Sequence, residues 1–228
     1  MNPISVIIPT LNVENVVIGA LRSLITLNGL DLIHEVIFSD GGSKDSTERI
    51  ALISGAEFIS GNASRGKQLR RGIEESEGPW LLILHADTKL SKGWEKECRS
   101  FIQKNECTAG YFRFALEDRG IRPYLLTKLV SLRCRFFSLP YGDQGLLISR
   151  RLYESVGGYK EIPLMEDVDL IRRIGRNRLR EIPVEAITSA VRYKKGGYFS
   201  RTIRNILCLS LFCFGISPEN IKKLYDRP

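Results

Sequence analysis

A chain of 228 residues, 43% apolar and 26% charged, has the size and balance of one sizeable globular domain. Its 34 Lys and Arg against 26 Asp and Glu leave a formal charge of +8, which favours anionic partners such as nucleotide phosphates, nucleic acid or an anionic membrane surface. No long Lys/Arg block is present, which argues against a nucleic-acid tail, and no nucleic-acid partner is expected.

Cys98, Cys107, Cys134, Cys208 and Cys213 are odd in number and lack CxxC spacing. That speaks against a disulfide framework or a zinc site and for a reducing compartment. The start, Met1-Asn2-Pro3-Ile4, has neither a basic region nor a long apolar run, so no signal peptide is expected. The longest near-apolar run, Ile206 to Ile216, is too short to span a bilayer. A cytoplasmic protein is expected, with association at the inner membrane face as a second reading.

The first element is a buried strand, Ile4 to Pro9, which Pro9 closes because it has no N–H to donate. Asn12 then stands as the N-cap of a helix in which Val13, Val17, Ala20, Leu21 and Leu24 recur at helical spacing. A second strand, Glu35 to Phe38, runs into Ser39-Asp40-Gly41-Gly42-Ser43, and Asp45 with Glu48 has capping-box spacing for a helix through Ser54. Ala56 to Ile59 is a short third strand, followed by a helix over Gly66 to Glu77. Trp80-Leu81-Leu82-Ile83-Leu84 is a fully buried fourth strand ending in His85-Ala86-Asp87-Thr88, with His85 and Asp87 on one face.

Strands alternating with helices through these first 90 or so residues predict βαβ units and a mostly parallel sheet flanked by helices, an α/β protein. In such sheets ligands bind outside the carboxyl ends of the strands. Thr10, Asn12, Asp40, Arg65 and Asp87 all fall just past strand ends, so they are expected to line one edge. The second half reads less regularly. It suggests a strand at Ala109–Leu116, a helix at Leu125–Phe137, a strand at Leu146–Ile148 and a helix at Arg151–Val156 stopped by Gly157-Gly158. A helix over Glu166–Arg176, an amphipathic helix over Phe199–Phe214 and a last helix after Ser217-Pro218 complete the chain. The chain divides into residues 1–90, 91–198 and 199–228 of one domain, with no repeat or linker.

Gly61-Asn62-Ala63-Ser64-Arg65-Gly66-Lys67-Gln68 is nearly a phosphate-binding Walker loop, but Gln68 replaces the hydroxyl that would reach Mg²⁺. Arg65 and Lys67 at a helix N-terminus still attract phosphate, the plain alternative being a solvated basic turn. Asp40-Gly41-Gly42-Ser43 offers a carboxylate to a base or ribose, against a turn in which Asp40 bonds its own loop. Glu166-Asp167 supplies a candidate proton acceptor, against simple capping of a helix N-terminus. Asp169 with Arg172 or Arg173 reads as an ion pair within one helix.

Taken in order, Ser5-Val6-Ile7-Ile8-Pro9-Thr10-Leu11-Asn12, Asp40-Gly41-Gly42-Ser43, Arg65, His85-Ala86-Asp87, Gly157-Gly158-Tyr159 and Glu166-Asp167-Val168-Asp169-Leu170 resemble family 2 glycosyltransferases. These are GT-A-fold enzymes that use nucleotide sugars. His85-Ala86-Asp87-Thr88 and Gly142-Asp143-Gln144-Gly145 are closer to a small bacterial sub-branch labelled as selenium- or radical-SAM-associated, or as arsenosugar-biosynthesis, glycosyltransferases.

The resemblance implies a nucleotide-diphosphate sugar donor, UDP- or GDP-linked, a hydroxyl acceptor and an inverting, metal-dependent transfer. It implies that Thr10, Asn12 and Asp40 face the nucleoside and that Arg65 and Lys67 reach the base or diphosphate. Asp87, with His85 in the first position of the family's acidic motif, would bind Mn²⁺ or Mg²⁺. Asp167 would act as general base, and Asp143, Glu166 and Arg172 would support it on the acceptor side. Two other readings differ in class: a nucleotidyltransferase making activated sugars, and a non-catalytic module at a membrane through the segment Phe199–Phe214, for which packing on the domain is favoured.

Overall fold

The computed structural model describes residues 3–26, 29–104 and 107–225. Met1 and Asn2, part of the stretch read above for a leader, lie outside the described residues. The elements in order are β1 (Ile4–Thr10), α1 (Val17–Leu24), β2 (Ile33–Asp40), α2 (Thr47–Ser54), β3 (Glu57–Ser60), α3 (Arg65–Glu75) and β4 (Trp80–Ile83). They continue with β5 (Thr88–Leu90), α4 (Trp94–Lys104), β6 (Ala109–Leu116), α5 (Ile121–Phe137), β7 (Leu146–Ser149), α6 (Arg150–Ser155) and α7 (Glu166–Ile174). β8 (Leu179–Thr188), α8 (Val191–Gly196), α9 (Tyr198–Cys213) and α10 (Pro218–Tyr225) end the chain.

The eight strands form one sheet in the order β3-β2-β1-β4-β7-β6-β8-β5. Pairings within the first half are all parallel, as the alternation of strands and helices requires. The second half joins through antiparallel pairs, β4 with β7, β7 with β6 and β8 with β5, so the sheet is mixed. β6 and β8 restore a parallel pairing. Helices cover both faces, and the apolar runs divide between two cores. In β1, Ile4, Val6 and Ile8 enter one core and Ile7 the other; in β4, Trp80 and Leu82 oppose Leu81 and Ile83.

Several local expectations change. Pro9 does not close β1, which pairs through Thr10 with Asp40. Leu84 N–H donates to the Ile7 carbonyl, so Ile7 and, two residues on, Pro9 face the β4 side; β4 ends at Ile83 opposite Ile7, and the missing donor of Pro9 costs nothing. Asn12 is not a helix cap, because α1 begins only at Val17. Asn12 sits at φ 51°, its N–H donates to Ser43 Oγ, and its Oδ1 accepts from Lys44 N–H. Asp45 likewise accepts from Glu14 N–H and Thr47 N–H instead of forming a capping box with Glu48. These bonds lace the turn after β1 to the turn after β2. Strands β5 and β8 and helix α4 lie outside the sequence expectations altogether. β8 carries Pro183 at a register shift opposite Phe112/Arg113, where a ladder tolerates a missing N–H.

Arg150, the first residue of α6, ties the two halves together. Its guanidinium donates to the carbonyls of Ile73, Ser76 and Gly78 and to Ser76 Oγ, satisfying the C-terminal end of α3. Arg150→Ala is expected to cost about 2–3 kcal/mol and to lower the melting temperature by about 5–10 °C. Arg150→Lys, which cannot reproduce the fork, should recover less than half. Thermal denaturation checks both; an unchanged midpoint in Arg150→Ala contradicts this account.

Candidate active site

β2 and β3 lie on one side of β1 and β4 on the other, so the chain's path reverses between β1 and β4. A crevice opens outside the carboxyl ends of strands at such a reversal. Two adjoining cavities occupy it. One, of about 630 Å³ with its open mouth, is lined by Pro9, Thr10, Leu11, Val13, Val16 and Gln68. The other, of about 820 Å³, is lined by Tyr141, Asp143, Glu166, Asp167, Tyr193 and Arg201 among others. Arg65, His85 and Asp87 line both, so these three form the shared wall.

His85 and Asp87 reach this wall by a different route from the one predicted. β4 ends at Ile83, and residues 85–88 make a turn in which Thr88 N–H donates to the His85 carbonyl. The turn is held from the far side, where Ser189 N–H donates to the Asp87 carbonyl. Both side chains face the cavities from a turn, with no strand alternation involved.

Arg65 opens α3 and crosses to α7, where its Nε lies 3.1 Å from Glu166 Oε1. Gly66 allows the approach: a Cβ there would meet the Lys160 carbonyl oxygen at 2.2 Å, so α3 packs directly on the 160–162 backbone. Burial would drive the Arg65 guanidinium towards neutrality, but Glu166, Asp167 and Asp87 around it outweigh that and keep it protonated.

Glu166 and Asp167 begin α7 behind Met165, which holds φ 66° at the helix start. Such a conformation is costly for a side-chain-bearing residue and aims the first turn. Glu166 is only 2% exposed, and its Oε2 is buried without a hydrogen-bond partner. Burial first, and then the neighbouring Asp167 charge, raise its pKa above the ordinary carboxylate range, against the pull of Arg65. Asp167 Oδ1 accepts from Val168 N–H and its Oδ2 accepts from Gly142 N–H at 2.7 Å.

Gly142, Asp143 and Gln144 form a single 3-10 turn. Gln144 pins it from below: its Oε1 accepts from Arg133 Nη2 and Cys134 Sγ, and its Nε2 donates to the Phe112 carbonyl. Arg133 also lies over the Tyr141 ring, 3.4 Å from its centroid. Thr188 Oγ1 donates to the Asp143 carbonyl from β8. Asp143 Oδ1 is a second buried oxygen without a partner, and burial pushes its carboxyl pKa up to about 6. Gly142 is closely packed too: a Cβ there would lie 2.5 Å from His85 Nε2 and 3.3 Å from Asp167 Oδ2.

Of the predicted residues, the structure gathers Thr10, Arg65, His85, Asp87, Asp143, Glu166 and Asp167 around the two cavities. It leaves out four. Asp40 is 1% exposed and lines neither cavity. Its oxygens accept from Thr10 Oγ1, Ser43 Oγ and the N–H groups of Gly42 and Ser43. Burial alone would raise its pKa, but these bonds outweigh it and hold the carboxyl below its usual range. The Asp40 carboxylate thus shapes its own turn. Asn12 is spent on the neighbouring loop, as above. Lys67 faces Glu161 at 3.8 Å on the surface, and Gln68 bridges the carbonyls of Thr10 and Ser39, which removes the Walker-loop reading. Arg172 is exposed and lines neither cavity, the ion pair to Asp169 being made by Arg173.

Tyr193, Arg201, Asn205 and Tyr225 were not anticipated. Arg201 Nη2 donates to Tyr225 Oη, and its guanidinium lies near the rings of Tyr193 and Tyr225. α8, α9 and α10 thus roof the second cavity, a placement that no local pattern announces.

Among the described residues no three His, Cys, Asp or Glu side chains converge as a metal site by themselves. An imidazole and a carboxylate on one shared wall nonetheless fit an ion that takes its other ligands from a bound diphosphate.

Residues 5–156 match the family model described as glycosyl transferase family 2. No curated protein matches the chain significantly. Among solved structures, S. aureus TarS residues 1–349 superposes with TM-score 0.63 at 16% identity, over 97% of this chain and 69% of that one. Against a longer TarS structure the chain spans 42% of the length. Mannosyl-3-phosphoglycerate synthase from Rubrobacter xylanophilus gives TM-score 0.61 at 20% identity, over 93% of this chain and 75% of that one. Glucosyl-3-phosphoglycerate synthase from Mycobacterium tuberculosis, in complex with Mn²⁺ and UDP-glucose, gives 0.60 at 21%, over 90% and 78%. At such identities the likeness is one of fold.

The Gly142 contact is directly testable. Gly142→Ala should turn the His85 ring away, shifting its imidazole NMR signals while those of His34, the chain's other histidine, stay in place. An unmoved His85 signal contradicts the contact.

Proposed function

This chain belongs to glycosyl transferase family 2 and is a glycosyltransferase, and from that premise we propose that it moves a sugar from a UDP- or GDP-linked donor to a hydroxyl acceptor with inversion. The observation that carries this reading is the single wall of Arg65, His85 and Asp87 between the Thr10 cavity and the Glu166-Asp167 carboxylates. The nucleoside would lie along Pro9, Thr10 and Leu11, and the sugar would project into the second cavity. There the buried oxygens of Glu166 and Asp143 without partners would accept hydrogen bonds from hydroxyl groups, which relieves their cost.

In the proposed transfer, Asp167 accepts the proton of the acceptor hydroxyl as that oxygen bonds to the anomeric carbon. The bond from that carbon to the donor phosphate breaks on the opposite side, and the nucleoside diphosphate departs with its electron pair. The hydrogen bond from Gly142 N–H holds the Asp167 carboxylate in position. Arg65 offsets the charge that gathers on the departing diphosphate. His85 and Asp87 would hold a divalent ion, Mn²⁺ or Mg²⁺, which acts as a Lewis acid when bound. The 1–90 half would bind the donor, and residues 91–198 with the C-terminal helices would meet the acceptor. The His85–Thr88 and Gly142–Gly145 motifs support placing the chain in the bacterial sub-branch named above.

Two substitutions separate the roles, read by release of nucleoside diphosphate from UDP- and GDP-sugars. Asp167→Asn keeps an acceptor for Gly142 N–H but cannot take a proton, and should lower turnover by about 10²–10⁴-fold with donor binding retained. Asp87→Ala should abolish the gain in UDP binding that Mn²⁺ gives the unaltered chain. Full turnover in the first, or an undiminished Mn²⁺ effect in the second, would sink the assignment.

A further inference from the structure

The basic excess of this protein is confined to two stretches. Residues 119–142 and 186–218 carry ten of the 34 Lys and Arg and none of the 26 Asp and Glu. The rest of the chain, with 24 basic against 26 acidic residues, is slightly negative. These stretches build α5, α8 and α9, and α9 packs on both α5 and α8.

The same helices expose apolar surface. α5 buries Leu126, Val130 and Cys134. On its other side Ile121, Leu125, Leu129, Leu132 and Phe136, spaced i, i+4, i+8, i+11 and i+15, are each between 49% and 68% exposed. α5 thus carries a second apolar stripe besides the one it buries. Arg122, Lys128 and Arg135 are exposed on the same helix, beside that stripe. α9 has an exposed apolar row of its own, with Phe199 at 79%, Ile203 at 47% and Ile206 at 56% exposed, and Phe214 just beyond it reaches 83%. Of the cations here, Lys194 is drawn to Asp118, while Arg119 and Lys195 are exposed.

We propose that the outward face of α5 and α9 docks this protein on an anionic lipid bilayer. An apolar stripe edged by Lys and Arg is what an interfacial helix presents: the stripe enters the acyl boundary while the cations meet lipid phosphates. A second copy of the chain fits poorly, because a two-fold contact brings like-charged faces together. A nucleic acid would meet the cations but leave the aliphatic stripe against solvent. No helix among the described residues is long and apolar enough to cross a membrane, so the contact lies at the surface. α9 also supplies Arg201 and Asn205 to the second cavity, each roughly 200° round the helix from Phe199 or Ile203, so α9 stands between the stripe and the cleft.

Vesicle flotation of the full chain tests the proposal, using phosphatidylcholine vesicles with or without roughly one-third phosphatidylglycerol. The chain should float with the mixed vesicles, and its bound fraction should fall at least about tenfold with pure phosphatidylcholine or in high salt. Leu125→Glu with Leu132→Glu, and separately Lys128→Glu with Arg135→Glu, should each cause a loss of similar size. Both pairs are at exposed positions, and a thermal midpoint matching the unaltered chain separates lost docking from lost folding. Failure to float with the mixed vesicles overturns the proposal. So does a concentration-dependent dimer that the leucine pair makes monomeric while flotation stays unchanged, which would assign the face to self-association.

Discussion

The site depends on one ion pair, Arg65 with Glu166. Glu166 is a carboxylate almost fully removed from water, which is costly unless a positive charge stands beside it. Arg65 supplies that charge from the N-terminus of α3, an element of the parallel half, while Glu166 belongs to α7 in the antiparallel half. The pair therefore links the turn that follows β3 to the carboxylates that follow α6. Gly66 lets the two backbones approach closely enough for the guanidinium to reach. Arg65 keeps about a third of its side-chain surface open, so it can face a ligand and Glu166 together.

Around that pair the protein leaves some polar groups unsatisfied and saturates others. Asp40 and Gln68 hold the ends of β1 and β2 together, so they give rigidity to the wall of the first cavity. On the other side, Glu166 Oε2 and Asp143 Oδ1 are buried without partners, and both carboxyls are pushed towards protonation by their surroundings. Buried orphan oxygens of this kind persist where function requires them. The Gly142–Gln144 turn places Asp143 and anchors Asp167, and Gln144, Arg133 and Thr188 fix that turn from three separate elements.

Much of this was legible in the sequence because it rests on local pattern. Apolar runs without alternation marked β1 and β4 as strands buried on both faces, and their carboxyl ends pointed to Thr10 and Asp87. Glu166-Asp167 before an apolar helical repeat marked the acidic pair. Residue type at a strand end does not reveal which way a side chain turns, and so Asp40 and Asn12, placed correctly along the chain, prove to be bonded inward or to the next loop. The contributions of Thr188, Tyr193 and Arg201 arise from packing between distant segments, for which no spacing exists to read. β8 was hidden by Pro183, which ordinarily demotes a strand and here sits at a register shift.

The proposed transfer requires the Thr10 cavity and the α7 carboxylates to share one cleft across Arg65. A crystal structure of the chain with UDP and Mn²⁺, recorded at the manganese absorption edge, tests it most directly. The account predicts an anomalous peak in coordination range of Asp87, with the UDP diphosphate between that peak and Arg65 and the uracil against Pro9 to Leu11. A peak remote from Asp87, or a uridine bound outside both cavities, would contradict it.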